Sequence, residues 1–468
     1  MSRAQPPTLD YGAPFYAVLA SCLLAAVACT GGKSTADGAG VSVGGGGSAG
    51  MASAGAGAGG MMASGASAGN AATETGGAAT AGAAGGGSGM GGGGSAGVAG
   101  DSGGVGGASG SAAGGAAGSG NGGASGSGGA LPAPSTFDNP IIKYDAQDPT
   151  NGPGNAIFTA DGAALVWKNR VYLYTGHDEQ VQGTNAYRMF DYRLWQSVDM
   201  VHWENKGAVA RYSVFGWATG NDTTGNANAA QVVERDDADG KPKFYFYAPL
   251  QGGQSDYGIS IGVAVAENPE GPFTDARGIP LIYLADTANT AATHSWRNLD
   301  PTVFVDDDGR AYMYWGNGIL YWVELESDMI HLKGETYTTD SGGKMQNRSF
   351  SGVALHIISN LSTYTEAPWL SKHGGTYYLS YAAGFPETIA YATSTSPSGP
   401  WQDRGTLVDR VQNSDTVHQS LFDFQGASYV SYHNGALPTG GSYRRSTCMD
   451  RAYYNSDGTL KKVVQTHL

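Results

Sequence analysis

The chain has 468 residues, a formal net charge of −14 and only three cysteines. That charge argues against a surface built to hold nucleic acid or anionic membrane through Lys and Arg. Three cysteines exclude a multi-disulfide framework.

The first element in chain order is an export signal. Arg3 precedes the apolar run FYAVLASCLLAAVAC, too short for a comfortable membrane span, which ends in small residues at Cys29. AAVAC resembles the lipobox of bacterial lipoproteins, with Ala26 where Leu is usual; a plain secretory signal is the alternative. On the lipoprotein reading Cys22 leaves with the signal and Cys29 carries the lipid. Cys448 is then left as a buried, unpaired small side chain. Residues 1–29 are thus the signal, placing the protein at the outer membrane or cell surface, or secreted. Residues 30–134 are nearly all Gly, Ala and Ser. They hold too few apolar groups to offset the entropy of ordering, which predicts a flexible linker. GASAG at 65–69 fits G-x-S-x-G by composition alone, without the strand–turn–helix context of a nucleophile elbow.

Residues 135–468 carry the globular domain. RVYLYTG (170–176), KFYFYAP (243–249), RAYMYWG (310–316), TYYLSYA (376–382) and SYVSYHN (428–434) each follow a turn, and each turn follows a short apolar strand. Those strands are AALVW, AQVVE, PTVFV, APWLS and SLFDF. Alternating β-branched and aromatic residues around turn residues spell hairpins. A corner into an outer strand recurs downstream, as QSVDMVHW, ENPEGPF, ESDMIHL and TSPSGPW. Four-stranded units at this period predict an all-β fold, a five-bladed β-propeller. The acidic stretches DDADG (236–240) and DDDG (306–309) lack EF-hand spacing and read as hairpin turns.

In a propeller the first strand of each blade lines the central channel. Three blades carry a carboxylate at the entry to that strand: Asp161, Asp300 and Glu366. Singly, each is a turn or cap residue by default. Three at matching phase point to one site. Glycoside hydrolysis needs a protonated carboxyl for the leaving oxygen and an ionised one for water or the sugar carbon. A third raises the acid's pKa by like-charge repulsion. Calcium binding is the competing chemistry, although hard-cation sites usually draw several oxygens from one loop.

FTADGAALVWKNRVYLYTGHDE, NLDPTVFVDDDGRAYMYWGN and YTEAPWLSKHGGTYYLSYAAG resemble the three carboxylate segments of glycoside hydrolase family 43. YHNGALPTGGSYRRSTC, GVAVAENPEGPF and YATSTSPSGPW resemble its tail and blade closures, so the likeness runs in order over roughly residues 138–465. It implies a five-bladed propeller and inverting hydrolysis, mostly of arabinofuranosides and xylosides in plant cell walls. It implies Asp161 as general base, Glu366 as general acid, and Asp300 as the residue that tunes and orients the acid. Their base–acid separation is expected in the inverting range of about 6.5–9.5 Å. The likeness also implies that His418 contacts a channel calcium or other ion through water, an ion the chemistry does not require. It places Arg445, with Arg444 as the neighbouring alternative, on substrate hydroxyls.

Two departures stand out. Gly162 follows Asp161 where the family very often has Pro, which predicts a looser turn. In blade two, Asn228, Ala229 and Ala230 replace an aromatic entry. His177, with Asp178 and Glu179, is a candidate for sugar hydroxyls or a polar loop, and Phe385 for a rim contact. Trp167 and Trp369 read as core. The expected partner is an oligo- or polysaccharide, met by a monomer whose only membrane contact is the lipid anchor. The alternatives are a non-catalytic sugar-binding propeller on a leash and a structural surface protein.

Overall fold

A computed structural model describes residues 134–466, except 146–155, 180–185, 221–225, 254–257, 289 and 343–344. The signal, its Cys29 and the linker up to residue 133 lie outside the described residues.

Blade one comprises β1 (Thr159–Trp167), β2 (Arg170–Asp178), β3 (Met189–Ser197) and β4 (Glu204–Arg211). Blade two comprises β5 (Gln231–Asp236), β6 (Pro242–Gln251), β7 (Ile259–Ala266) and β8 (Thr274–Asp275). Blade three comprises β9 (Thr302–Val305), β10 (Ala311–Trp315) and β11 (Leu320–Leu325). A separate hairpin of β12 (Thr336–Thr339) and β13 (Met345–Ser349) then intervenes before its outer strand, β14 (His356–Ile358). Blade four comprises β15 (Tyr364–His373), β16 (Thr376–Ala383), β17 (Thr388–Ser394) and β18 (Gln402–Val408). Blade five comprises β19 (Ser420–Phe424), β20 (Ala427–Asn434) and β21 (Ser446–Ala452). The innermost strands touch in a closed ring, β1 to β5 to β9 to β15 to β19 and back to β1.

Period-two alternation on the second strand of each blade builds the cores between blades. On β2, Tyr172 and Tyr174 pack toward blade two while Val171 and Leu173 pack toward blade five. On β6, Phe244 and Phe246 join the first of these cores, and Tyr245 and Tyr247 join the next. On β10, Met313 and Trp315 share that core, while Tyr312 and Tyr314 face blade four. Both faces are buried, so each large side chain contributes about 1.5–3 kcal/mol of burial. The tyrosine hydroxyls are used as well. Tyr174 donates to Pro269 O and Tyr247 to Met329 O, each at 2.6 Å, and Tyr314 donates to Pro397 O. Each acceptor lies in the corner of the following blade, so one residue pattern staples four successive blades.

Blade five departs from the four-stranded expectation. Its outer position beside β21 is taken by the segment around residues 139–142. Ile141 N donates to Thr447 O at 2.9 Å. The Asn139 side chain then acts as a strand residue's peptide would. Its Oδ1 accepts from Met449 N at 2.8 Å and its Nδ2 donates to Met449 O at 2.9 Å. The same Nδ2 lies 2.9 Å from Thr466 Oγ1, joining both ends of the domain at one seam.

Candidate active site

Each carboxylate lies at or next to a left-handed backbone position at a strand entry. On β1, Ala160 pairs with Gly176 and Ala163 with Tyr174, leaving Asp161 and Gly162 opposite Thr175 alone. Asp161 takes a left-handed φ of 54° and Asp300 one of 57°. Such backbone costs a non-glycine residue roughly 1–2 kcal/mol, and Asp tolerates it better than most. Blade four corrects the expectation of matching phase. There Ala367 carries the left-handed φ, 54°, and Glu366 precedes it by one residue. Glu366 still pairs with Ala382, and Ala367 and Pro368 bulge out before Trp369 pairs with Ser380. Ala367 N donates to Asp300 Oδ2 at 3.0 Å, so the displaced bulge ties two of the three carboxyl segments together.

Asp161 is 4% exposed and meets two basic groups. Arg445 Nη1 lies 2.9 Å and His433 Nδ1 3.1 Å from its Oδ1. His433 Nε2 faces Thr416 O at 3.0 Å, which fixes the ring. Burial alone would raise this carboxyl, but the Arg445 charge and the His433 contact outweigh it and hold Asp161 well below the usual range. Gly162 is not the loose point its composition suggests. Its carbonyl accepts from Ser431 Oγ at 2.6 Å, with Ser420 Oγ at 3.0 Å. A Cβ there would meet Thr447 Cγ2 at 2.9 Å, so glycine fills the only space available.

Glu366 meets the opposite environment. Burial pushes it up to about 7, helped by the Asp161 charge and opposed by a 2.5 Å hydrogen bond from Asn317 Nδ2 and by Arg445. Asp300, 6% exposed, is raised well above the carboxylate range by burial and by the charges of Glu366 and Asp161. A fourth carboxyl joins them. Glu387, just before β17, is 2% exposed and accepts from Val417 N at 2.7 Å. It too is raised well above its ordinary value, by burial and by Glu366. Buried carboxyls this close cannot all ionise, so Asp300, Glu366 and Glu387 retain protons where Asp161 does not.

The other expected residues sort as follows. Arg445, not Arg444, enters the site. His177 is 2% exposed and does not present itself as a sugar ligand. Its Nδ1 lies 3.0 Å from Asp191 Oδ1 and 3.4 Å from Glu179 Oε1, inside a blade-one polar network. Burial works against its charge, yet the Asp191 bond raises its pKa. Its neighbour Asp178 reaches the site instead, through Arg445. Phe385 is half-buried in the loop between β16 and β17, two residues before Glu387. Trp369 is core, its Nε1 donating to Leu421 O, and Trp167 packs edge-on against Phe244. The blade-two entry has no aromatic, but Tyr187 lies across the Arg445 guanidinium at 5.6 Å and meets Tyr443 edge-on at 6.3 Å. Cys448 is free and buried. The acidic stretches are hairpin turns, with Asp237 Oδ1 accepting from Asp239 N and Lys241 N.

His418 Nδ1 lies 3.8 Å from Asp300 Oδ2, and burial lowers the imidazole to about 4, so it is neutral at neutral pH. Among the described residues no three His, Cys, Asp or Glu side chains converge as metal ligands. Calcium takes six to eight oxygens, so these side chains do not form a protein cage for it.

A propeller channel that sets an ionised carboxylate against proton-holding carboxyls defines a glycosidase. The chain belongs to glycosyl hydrolase family 43, whose family model matches residues 137–460. It is 28% identical over 342 residues to a xylosidase/arabinosidase 43A of Humicola insolens, covering 65% of this chain and 96% of that one. It is 29% identical over 353 residues to an arabinoxylan arabinofuranohydrolase of Bacillus subtilis, covering 66% of this chain and 63% of the relative. Among solved structures, a family 43 enzyme from Xanthomonas citri complexed with xylotriose superposes with a TM-score of 0.51 at 26% identity, covering 66% and 91% of the two chains. An α-L-arabinofuranosidase from Clostridium thermocellum superposes with a TM-score of 0.50 at 30% identity, covering 66% and 94%.

Proposed function

We propose that the protein removes α-L-arabinofuranosyl or β-xylosyl units from plant polysaccharides by single-displacement inversion. The observation that carries this reading is the split between Asp161, ionised beside Arg445, and Glu366, which holds its proton up to about 7. Glu366 gives its proton to the glycosidic oxygen as the bond to the anomeric carbon breaks. Water attacks that carbon from the opposite face, and Asp161 takes the water's proton. Asp300 anchors the Ala367 bulge beside the acid, while burial and the Asp161 charge keep Glu366 protonated. Arg445 steadies the base and offers its remaining surface, with Tyr187 over it, to sugar hydroxyls; Phe385 is assigned to the rim. No step passes through an ion. The names of the Humicola and Bacillus relatives support both sugars.

The test is a panel of nitrophenyl arabinofuranosides and xylosides, with the product anomer followed by NMR. Turnover with inverted anomer is expected, and Glu366→Gln should lower kcat on natural glycosides by about 10²–10⁴-fold. Retained configuration, or full activity in that variant, overturns the assignment.

Arg3 and the apolar run ending at Cys29 support export with a lipid anchor. Incorporation of labelled fatty acid that disappears in Cys29→Ala is the expected result, and labelling that persists refutes it.

A further inference from the structure

A second, polar cleft of about 780 Å³ opens at the channel-mouth end, between blades four and five. It is bounded by Pro386 from the β16–β17 loop, by Arg410, Ser414 and Asp415 before β19, and by Ser442 and Arg444 before β21. Each wall adjoins the active site. Pro386 precedes Glu387, Asp415 O accepts from Glu387 N at 2.9 Å, and Arg444 precedes Arg445. The size falls within the range of small-molecule sites, about 300–1,000 Å³.

Its charge runs against that of the whole chain. In a protein of net charge −14, two guanidinium groups line one cleft, and neither has a carboxylate within salt-bridge distance among the described residues. The acids nearby are engaged. Asp409 is paired with Lys462 at 2.7 Å. Asp415 Oδ2 accepts from Ser442 Oγ at 3.0 Å, and its backbone N donates back to the same oxygen at 3.1 Å. Arg444 uses its Nε on Thr439 O, which orients the guanidinium and leaves its other nitrogens uncommitted. Arginine is the side chain best matched to a planar carboxylate. Hydroxyls and a backbone-rich glycine wall beside it suit a sugar ring.

We propose that this cleft binds a uronate residue of the polysaccharide next to the unit being cleaved, with Arg410 and Arg444 holding its carboxylate. The proposal rests on the glycosidase reading above and narrows its substrate to an acidic, decorated polymer. Glucuronate on a xylan and galacturonate in a pectic chain present the same carboxylate, and the substrates chosen separate them.

The test compares kcat/KM on neutral arabinoxylo-oligosaccharides with that on oligosaccharides of equal length carrying glucuronate or galacturonate. It uses the wild-type chain and the variants Arg410→Gln and Arg410→Gln/Arg444→Gln. Wild type should favour one acidic series over the neutral by about tenfold, and the double variant should bring that ratio to near one. Loss of the preference in 0.5 M salt is expected as well. Calorimetric titration with the preferred acidic oligosaccharide gives a readout independent of turnover. Binding lost in the double variant supports the cleft even if no glycoside is hydrolysed, which would sink only the glycosidase reading. Equal ratios in wild type and variants, alongside normal hydrolysis of the neutral series, overturn the proposal.

Discussion

Asp178 accepts three hydrogen bonds from one arginine. Arg445 donates its backbone N and Nε to Asp178 Oδ2 at 2.9 and 2.8 Å, and its Nη2 to Oδ1 at 2.9 Å. Only Nη1 is left for Asp161. The arginine beside the base is therefore aimed by a carboxylate on the neighbouring strand, and Asp178→Asn should release it. A shift of about 1 Å in such a group lowers kcat/KM by roughly 10²-fold. As the released guanidinium moves away from Asp161, that carboxyl loses the charge that holds it low, and an acidic limb should move up into the pH–rate profile. An unchanged profile with reduced activity would assign Asp178 a purely structural role.

The alkaline side of the profile belongs to the acid. With Glu366 held to about 7, kcat/KM should fall above roughly that pH as the proton is lost, and stay level below it while Asp161 remains ionised. The midpoint belongs to the Asp300–Glu366–Glu387 group jointly. Stability follows the same sign. The folded state binds the Glu366 proton more tightly than an unfolded chain, whose Glu titrates near 4.5. This contribution is complete below 4.5 and lost as pH rises through about 7. Scanning calorimetry at pH 8.5 should show Glu366→Gln melting about 2–4 °C above wild type, with no gain at pH 4.

Glu387 acts through its neighbours rather than on substrate. Glu387→Gln removes a group that cannot ionise beside Glu366 without cost, while its side-chain oxygen still accepts from Val417 N. Because Glu387 keeps its proton while Glu366 titrates, the alkaline limb should stay near pH 7. A limb moved to lower pH would mean that Glu387 ionises before Glu366.

The packing around Gly162 gives a stability prediction. Gly162→Ala drives a methyl against Thr447 Cγ2 and should cost about 1–3 kcal/mol in urea unfolding. Thr447→Ser deletes that methyl and keeps the hydroxyl that donates to Thr159 O at 2.7 Å. The double variant should regain most of the loss, and no recovery would place the strain elsewhere.

The propeller was legible because each blade is local grammar: a strand, a turn and a Tyr-rich strand with period-two alternation, written five times. Asp161, Asp300 and Glu366 were visible because they stand at the entries of those strands. The one-residue offset of Glu366 was not, since it depends on Ala367 rather than the carboxylate taking the left-handed turn. The electrostatics were hidden for another reason. Arg445 lies 284 residues from Asp161 and 267 from Asp178, and Glu387 lies 30 from Val417. Such pairs come from loops of different hairpins or blades, and no periodicity links them. The signal that points to Glu387 is its place in AAGFPETIAYA, a lone charge before a strand otherwise destined for burial.

The seam at Asn139 has a consequence for how the ring is written into the chain. One amide side chain binds Met449 near the end of blade five and Thr466 beyond it, so the described domain's first and last residues lie side by side. Where the circle is cut is then a genetic choice rather than a structural one. Joining those ends with a short link and reopening the chain at an exposed hairpin tip, such as Asp239–Gly240, would move the free ends from one blade to another. The channel and its carboxyls would keep their places.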